Sequence, residues 1–324
     1  MKRPALWFPL AAAGVAALAI LSLFIGVSDV SLHTLFSAEA DGRAMQILVA
    51  SRIPRTLALI LAGMAMAVAG LVMQMLARNK FVEPSTAGTV ESASLGLLAV
   101  MLLYPGAPII VRMLIAAAFA LAGTALFLAI LRRIPLRSPL LVPLVGLMLS
   151  GVIAAVATFF AYQNNLLQAL ATWTIGDFSA VLRGRYELLW ITAGLTALAY
   201  LAADRFTVAG LGQDFTTSLG LHYRRVLFLG LMIVALVTAA VVVTVGMIPF
   251  LGLVVPNVVS LIVGDNVRKA LPWVAVIGAG FVLACDILGR VVRYPYEIPI
   301  GTVVGVVGSA LFLWLLLRRR AALG

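Results

Sequence analysis

Apolar runs of about 17 to 25 residues recur along the whole chain, separated by short polar stretches. That length and that spacing predict helices crossing a membrane rather than strands. Ten such runs stand at roughly 5–26, 54–76, 87–104, 109–131, 140–162, 188–203, 226–246, 248–264, 271–290 and 300–317. The third begins with polar residues, and Pro249 and Pro256 interrupt the eighth. The first follows Met1-Lys2-Arg3 as a signal peptide would, but its apolar run is too long and further spans follow, so it reads as a retained helix. The polar interruption at 204–225, DRFTVAGLGQDFTTSLGLHYRR, stands out. There Phe215, Leu219 and Leu221 alternate with Gln213, Asp214, Thr216, Thr217 and Ser218. The pattern predicts one short amphipathic helix closed by Gly220, a residue suited to a left-handed helix end. An ordered apolar-faced hook in the cytosol serves a membrane protein driven by a soluble partner; the plainer reading is a solvated connector.

Composition sharpens this picture. Of 324 residues 63% are hydrophobic and 11% charged, with a mean hydropathy of +1.14, which excludes an ordinary soluble domain. Lys and Arg number 23 against 12 Asp and Glu. With the amino terminus inside, both ends fall in the cytosol and 15 basic residues lie there: Lys2, Arg3, Arg78, Lys80, Arg132, Arg133, Arg137, Arg205, Arg224, Arg225, Arg268, Lys269 and Arg318 to Arg320. The reverse orientation leaves 8, so the basic excess sets the topology and accounts for most of the net charge of +11. No basic tract with interleaved aromatics stands outside the apolar runs, which argues against nucleic acid as a partner. The single cysteine, Cys285, lies in an apolar run and reads as packing. His33 and His222 fall on opposite sides of the membrane and cannot share a metal.

The basic residues left outside include Arg52 and Arg55 at the start of the second span, with Pro54 between them suited to a first helical turn. Arg290 and Arg293 repeat the three-residue spacing at the end of the ninth. They can be helix-end anchors among lipid headgroups. Alternatively, arginine forks on the side where arginine is disfavoured suit an acidic partner outside, and charge reversal at Arg52 or Arg290 should then weaken docking and leave the chain folded. Asp286 stands one turn before Arg290 as its structural partner. Glu91, near the start of the third span, either profits from the helix dipole or lines a pathway. Pro249, Pro256 and Asn257 mark a broken helix. Small residues at Gly63, Ala67 and Gly70, and at Gly301, Gly305 and Gly308, predict tight helix packing, within the chain or against a second copy. The chain lacks GxxxxGK[ST] and has no acidic pair placed for acid–base work, so it does not read as an enzyme.

Taken together, residues 51–57 (SRIPRTL), 77–89 (ARNKFVEPSTAGT), 218–225 (SLGLHYRR), 246–257 (GMIPFLGLVVPN) and 286–301 (DILGRVVRYPYEIPIG), followed by 311–320, resemble the permease subunits of iron–siderophore and cobalamin ABC importers. Their order and spacing match over nearly the whole chain. The resemblance implies an all-α integral membrane protein of about ten transmembrane helices per subunit, a single permease domain over 1–324 with type II importer architecture. It implies a second permease subunit, in a homodimer or paired heterodimer, and two cytosolic P-loop ATPase subunits that bind ATP and Mg. A substrate-binding protein acts on the outer side, and the setting is the bacterial inner membrane. By the same resemblance Arg52, Arg55 and Arg290 match the arginines that receive glutamates of the binding protein. The segment 210–221, with Gly210, Asp214, Thr217, Leu219, Gly220 and Leu221, matches the coupling helices that insert into the ATPase. Asn79 and Phe81 match a loop that closes the cytoplasmic end of the pathway.

The sequence departs from the commonest family pattern at Asn257, where His is frequent, at Glu91, where a small residue is usual, and at Lys80, which replaces Pro. The run at 86–93, TAGTVESA, and Asn257 look more like the catecholate-siderophore branch than the cobalamin one. The expected activity is import of a ferric siderophore, with iron arriving chelated and no metal-ligand cluster needed in this chain. The other readings are a self-contained proton-coupled secondary transporter with Glu91 and Asp286 as relays, and a non-transporting scaffold.

Overall fold

The computed structural model describes residues 4–26, 43–134 and 141–321. Lys2, Arg3, His33 and Arg137, with the side chains of Arg43 and of Arg318 to Arg320, lie outside the described residues. Among the described residues every regular element is a helix: α1 (Pro4–Phe24), α2 (Ile53–Leu76), α3 (Thr89–Leu103), α4 (Ile109–Arg133), α5 (Leu141–Gln163), α6 (Leu167–Thr174), α7 (Trp190–Leu201), α8 (Ala203–Ala209), α9 (Gln213–Ser218), α10 (Tyr223–Val245), α11 (Leu251–Val263), α12 (Val267–Val291) and α13 (Ile300–Ala321), with short 3-10 and π-helical turns between some of them. Seven are long and apolar enough to cross a membrane: α1, α2 with its lead-in, α4, α5, α10, α12 and α13. The runs expected at 87–104, 188–203 and 248–264 also fold as apolar helices, but shorter ones. At a rise of 1.5 Å per residue, the 15 residues of α3 reach about 22 Å, less than a hydrocarbon core of about 30 Å.

The bundle is built around α2, which packs along α12, α11, α10 and α7. Of its apolar stretch 83% is buried, against 6% for α1 and 22% for α5, which separates a central helix from peripheral ones. In a bilayer, leucine gains little by leaving lipid for protein, so helices associate through close backbone approach. The small residues of α2 serve that purpose within this one chain. A β-carbon on Gly63 would come within 2.7 Å of the Gly278 carbonyl oxygen in α12, and one on Gly70 within 2.2 Å of the Gly252 Cα in α11. The glycines of α13 likewise face their own chain, Gly301 against Gly176 and Gly308 against Phe250.

A short helix at Arg43–Ile47 and a π-helical segment at Leu48–Arg52 run directly into α2, whose first turn holds Pro54 as expected. Two further helices begin from irregular backbone. Gly88, with φ of +77°, precedes α3, and Phe250, with φ of +60°, precedes α11. The break expected near Pro249 is therefore real, whereas Pro256 lies inside α11.

Candidate functional site

The residues singled out from the sequence gather at opposite ends of α2 and α12. At one end, Arg52 and Arg55 leave the start of α2 and Arg290 the last turn of α12. Asp286 joins them. Arg55 donates from Nη2 to Asp286 Oδ1 at 2.7 Å and from Nη1 to Glu297 Oε2 at 2.7 Å. The Arg290 Nη2 lies 2.5 Å from Asp286 Oδ2, the partner foreseen from the one-turn spacing, in an ion pair whose angle falls outside hydrogen-bond geometry. Arg290 also donates to the Ser22 carbonyl at 3.0 Å, the Ser22 hydroxyl at 2.5 Å and the Ile25 carbonyl at 2.6 Å. Arg52 donates to the Ile25 carbonyl at 2.7 Å, and the described residues offer it no carboxylate within salt-bridge distance. All three arginines are buried, as is Asp286. The cluster ties the end of α1 to α2 and α12, with three cations set against two carboxylates. Ser22 and Glu297 carry no signal in the sequence, since neither belongs to a recognisable spacing with the arginines.

At the other end of α2 the expected amphipathic helix of the hook is α9, and a second short helix, α8, precedes it. Gly212, with φ of +115°, separates them. The close of α9 is as expected: Gly220 has φ of +76°, its amide reaches the Thr217 carbonyl at 2.9 Å, and the Leu221 amide reaches the Thr216 carbonyl at 3.0 Å. That double bond is the Schellman arrangement. Thr216 is fully buried, which shows the side of α9 that faces the bundle, and its hydroxyl bonds the Gly212 carbonyl one turn back at 2.6 Å. Phe215 and Leu219 point away from it, 64% and 63% exposed. Asp214 and Thr217 are exposed beside them, Leu221 is half-buried, and Gly210 lies against Met75 at the end of α2. An exposed Asp204–Arg268 ion pair links α8 to α12.

Between the two ends the loop after α2 folds back along α11. Asn79 Oδ1 accepts the Phe81 amide at 2.8 Å, and the Phe81 ring meets Phe312 of α13 edge-on at 5.9 Å. A cavity of about 10 Å³ lies between Phe81, Phe312 and Asn257. The two departures at Lys80 and Asn257 turn out to be neighbours. Asn257 donates to the Lys80 carbonyl at 2.7 Å, while the Lys80 ammonium reaches Asp265 at 2.6 Å and Ser260 at 3.1 Å. Farther along, buried Glu83 accepts the Phe250 amide at 2.8 Å and the Ser85 hydroxyl at 2.6 Å, with the Gly252 and Leu253 amides also directed at it. A carboxylate thus caps the start of α11, where free amides and the helix dipole favour negative charge. The sequence reading missed Glu83. The Glu-Pro-Ser-Thr string does signal a local helix start, but its partner lies 167 residues away. Glu91 sits in the first turn of α3 with its carboxyl buried and the Ser150 hydroxyl of α5 facing it. Among the described residues no group of three or more His, Cys, Asp or Glu is placed to hold a metal ion.

Comparison with known proteins gives a consistent result. The model of a family described as the FecCD transport family matches residues 14–318. The petrobactin import system permease protein YclN of Bacillus subtilis is 50% identical over 304 residues, covering 94% of this chain and 96% of that protein. The ferric-anguibactin transport system permease protein FatD of Vibrio anguillarum is 41% identical over 297 residues, covering 92% of this chain and 94% of that protein. Among solved structures, a metal-chelate type ABC transporter in an inward-facing conformation superposes with a TM-score of 0.78 over 96% of this chain and 99% of that one. At 22% identity that likeness speaks for the fold alone.

Proposed function

The chain belongs to the FecCD transport family, and from that membership we propose that it is the permease subunit of an ATP-driven importer carrying a ferric siderophore, of catecholate type, into the cytoplasm. Relatives named for petrobactin and ferric anguibactin, at 50% and 41% identity, support an iron chelate as cargo. The catecholate assignment rests on residues 86–93 and Asn257. In this reading the three shorter apolar helices join the seven long ones as ten crossings of a bacterial inner membrane, with both termini cytoplasmic. One chain forms half of a pathway completed by a second permease subunit.

The observation that carries the ATP-driven reading is the hook. Two large apolar side chains, Phe215 and Leu219, stand exposed on a helix that its own capping and Thr216 hold rigid. Such a surface is what an ATPase subunit that closes on ATP can push. Co-purification of the tagged chain, expressed with its neighbouring genes in mild detergent, tests this. A stoichiometric P-loop ATPase is expected; the chain alone, transporting in liposomes without ATP, would refute it. That second outcome is the one a self-contained proton-coupled carrier requires, and no observation favours such a carrier: both Asp286 oxygens are engaged by arginines.

The outward docking role falls chiefly to Arg52, which is 7% exposed and has to leave the Ile25 carbonyl to reach a partner. Arg55 and Arg290 are held and neutralised by Asp286 and Glu297 of their own chain, whereas Arg52 lacks a carboxylate partner among the described residues and leaves the cluster one positive charge in excess. Arg52→Glu is expected to weaken binding of the substrate-binding protein about tenfold, mostly through the association rate and most strongly at low salt. Surface plasmon resonance at two ionic strengths measures it, and unchanged rates would remove Arg52 from the interface.

A further inference from the structure

Beneath the hook lies a cavity of about 240 Å³ between the ends of α2, α4 and α10. Arg78 and Arg132 line it, with Gln213 and Tyr223 in the wall and Leu131 and Leu227 among the aliphatic residues beneath. Neither arginine is paired with an acidic side chain among the described residues. The segment 135–140 that follows α4 contributes no acidic residue either. Arginine at a helix carboxyl end suits the dipole, which explains each cation singly. It does not explain why both face one cavity.

The backbone of Arg78 gives an independent reason to look for a ligand. Arg78 has φ of +49°, and the Asn79 amide closes on the Gln74 carbonyl at 2.9 Å, so Arg78 occupies the left-handed end position of α2 where glycine is the usual residue. A non-glycine residue in that conformation is uncommon and directs attention to what its side chain does. Gly212, whose own φ is +115°, makes room: a β-carbon there would come 2.7 Å from the Arg78 guanidinium.

We propose that this cavity binds the phosphate headgroup of an anionic phospholipid, with Arg78 and Arg132 as its two cationic contacts. Two guanidiniums at the ends of spanning helices, over a cavity walled by Leu76, Leu128 and Leu131, match a phosphodiester at the membrane surface whose acyl chains run down the outside of the bundle. An acidic side chain of a soluble partner fits less well. Gln213 lies on the side of α9 toward buried Thr216, behind the face that Phe215 and Leu219 present outward. The inference requires only that the bundle spans a bilayer and is independent of the cargo. By bridging α2, α4 and the hook, a bound headgroup makes the seating of the hook depend on lipid composition.

The test uses the full chain purified in neutral detergent and titrated with dioctanoyl phosphatidylglycerol, dioctanoyl phosphatidylcholine or inorganic phosphate, read by thermal shift and native mass spectrometry. Phosphatidylglycerol is expected to bind saturably and raise the melting temperature, with phosphatidylcholine inert and phosphate far weaker. Arg78→Gly and Arg132→Gln should each weaken phosphatidylglycerol at least tenfold. Because glycine suits the left-handed position, R78G is expected to fold at least as well as the parent, so its loss of binding cannot be ascribed to unfolding. Wild-type binding by both variants would overturn the proposal. So would equal binding of phosphatidylcholine or of inorganic phosphate. Loss of ATPase co-purification in R78G with lipid binding intact would assign the cavity to the protein partner instead.

Discussion

Replacing Asp286 with alanine is expected to destabilise the chain by about 3–5 kcal/mol, the cost of stranding buried charge. Asp286 is the one carboxylate shared by Arg55 and Arg290, and both guanidiniums are buried among α1, α2 and α12. Without it, among the described residues, Arg290 keeps only oxygens of Ser22 and Ile25, and Arg55 keeps only Glu297. Glu297→Ala is the contrasting variant. Its carboxylate is 27% exposed, and its removal is expected to cost about 1 kcal/mol or less. Thermal unfolding of the two variants in the same detergent should rank them in that order. Equal melting temperatures for D286A and the parent would show that the cluster is not what holds this end together. Arg290→Glu, which sets a second carboxylate against Asp286, should unfold at least as easily as D286A. Against the expectation that charge reversal there leaves the chain folded stands the burial of Arg290, 3% exposed with its charge turned into the protein.

Leu219→Asp is expected to abolish uptake while leaving the membrane bundle intact. Leu219 is 63% exposed at the end of α9, so the folded chain loses almost nothing by the change. A buried interface anchor replaced by a charge costs about 2 kcal/mol or more in association, roughly a thirtyfold weaker ATPase complex. ATP hydrolysis by the residual complex should no longer follow the presence of loaded binding protein. Uptake by proteoliposomes and melting temperature, measured on the same preparation, separate the two effects. Normal uptake by L219D would remove the hook from coupling. Phe215→Ala, on the same exposed face, should weaken association in the same direction.

Much of this was legible in the sequence because bilayers impose simple rules. Each apolar run became a helix, since a chain in hydrocarbon must satisfy its own amides, and Gly220 closed α9 as its missing β-carbon suggested. The Asp286–Arg290 pair followed from one turn of helix. What the sequence withheld was everything set by distance in three dimensions. The arginines at 52, 55 and 290 looked outward because they stood at helix mouths, yet carbonyls of α1 and a carboxylate of α12 draw them in. Glu83 reaches Phe250 and Asn257 reaches Lys80 across 167 and 177 residues, and no periodicity encodes such a meeting. Lengths were also uncertain: α3 and α11 start from positive-φ residues inside their apolar runs, so hydropathy alone overestimated them.

The contact between Gly70 and Gly252 has a mechanical consequence. Where two backbones touch with no side chain between them, there are no rotamers to exchange and no slack to absorb a slide. With Gly63 also set against Gly278, α2, α11 and α12 form one closely packed frame. Any relative motion of helices in this chain therefore meets least resistance outside that frame, at peripheral helices such as α1 and α5, whose apolar stretches are 6% and 22% buried.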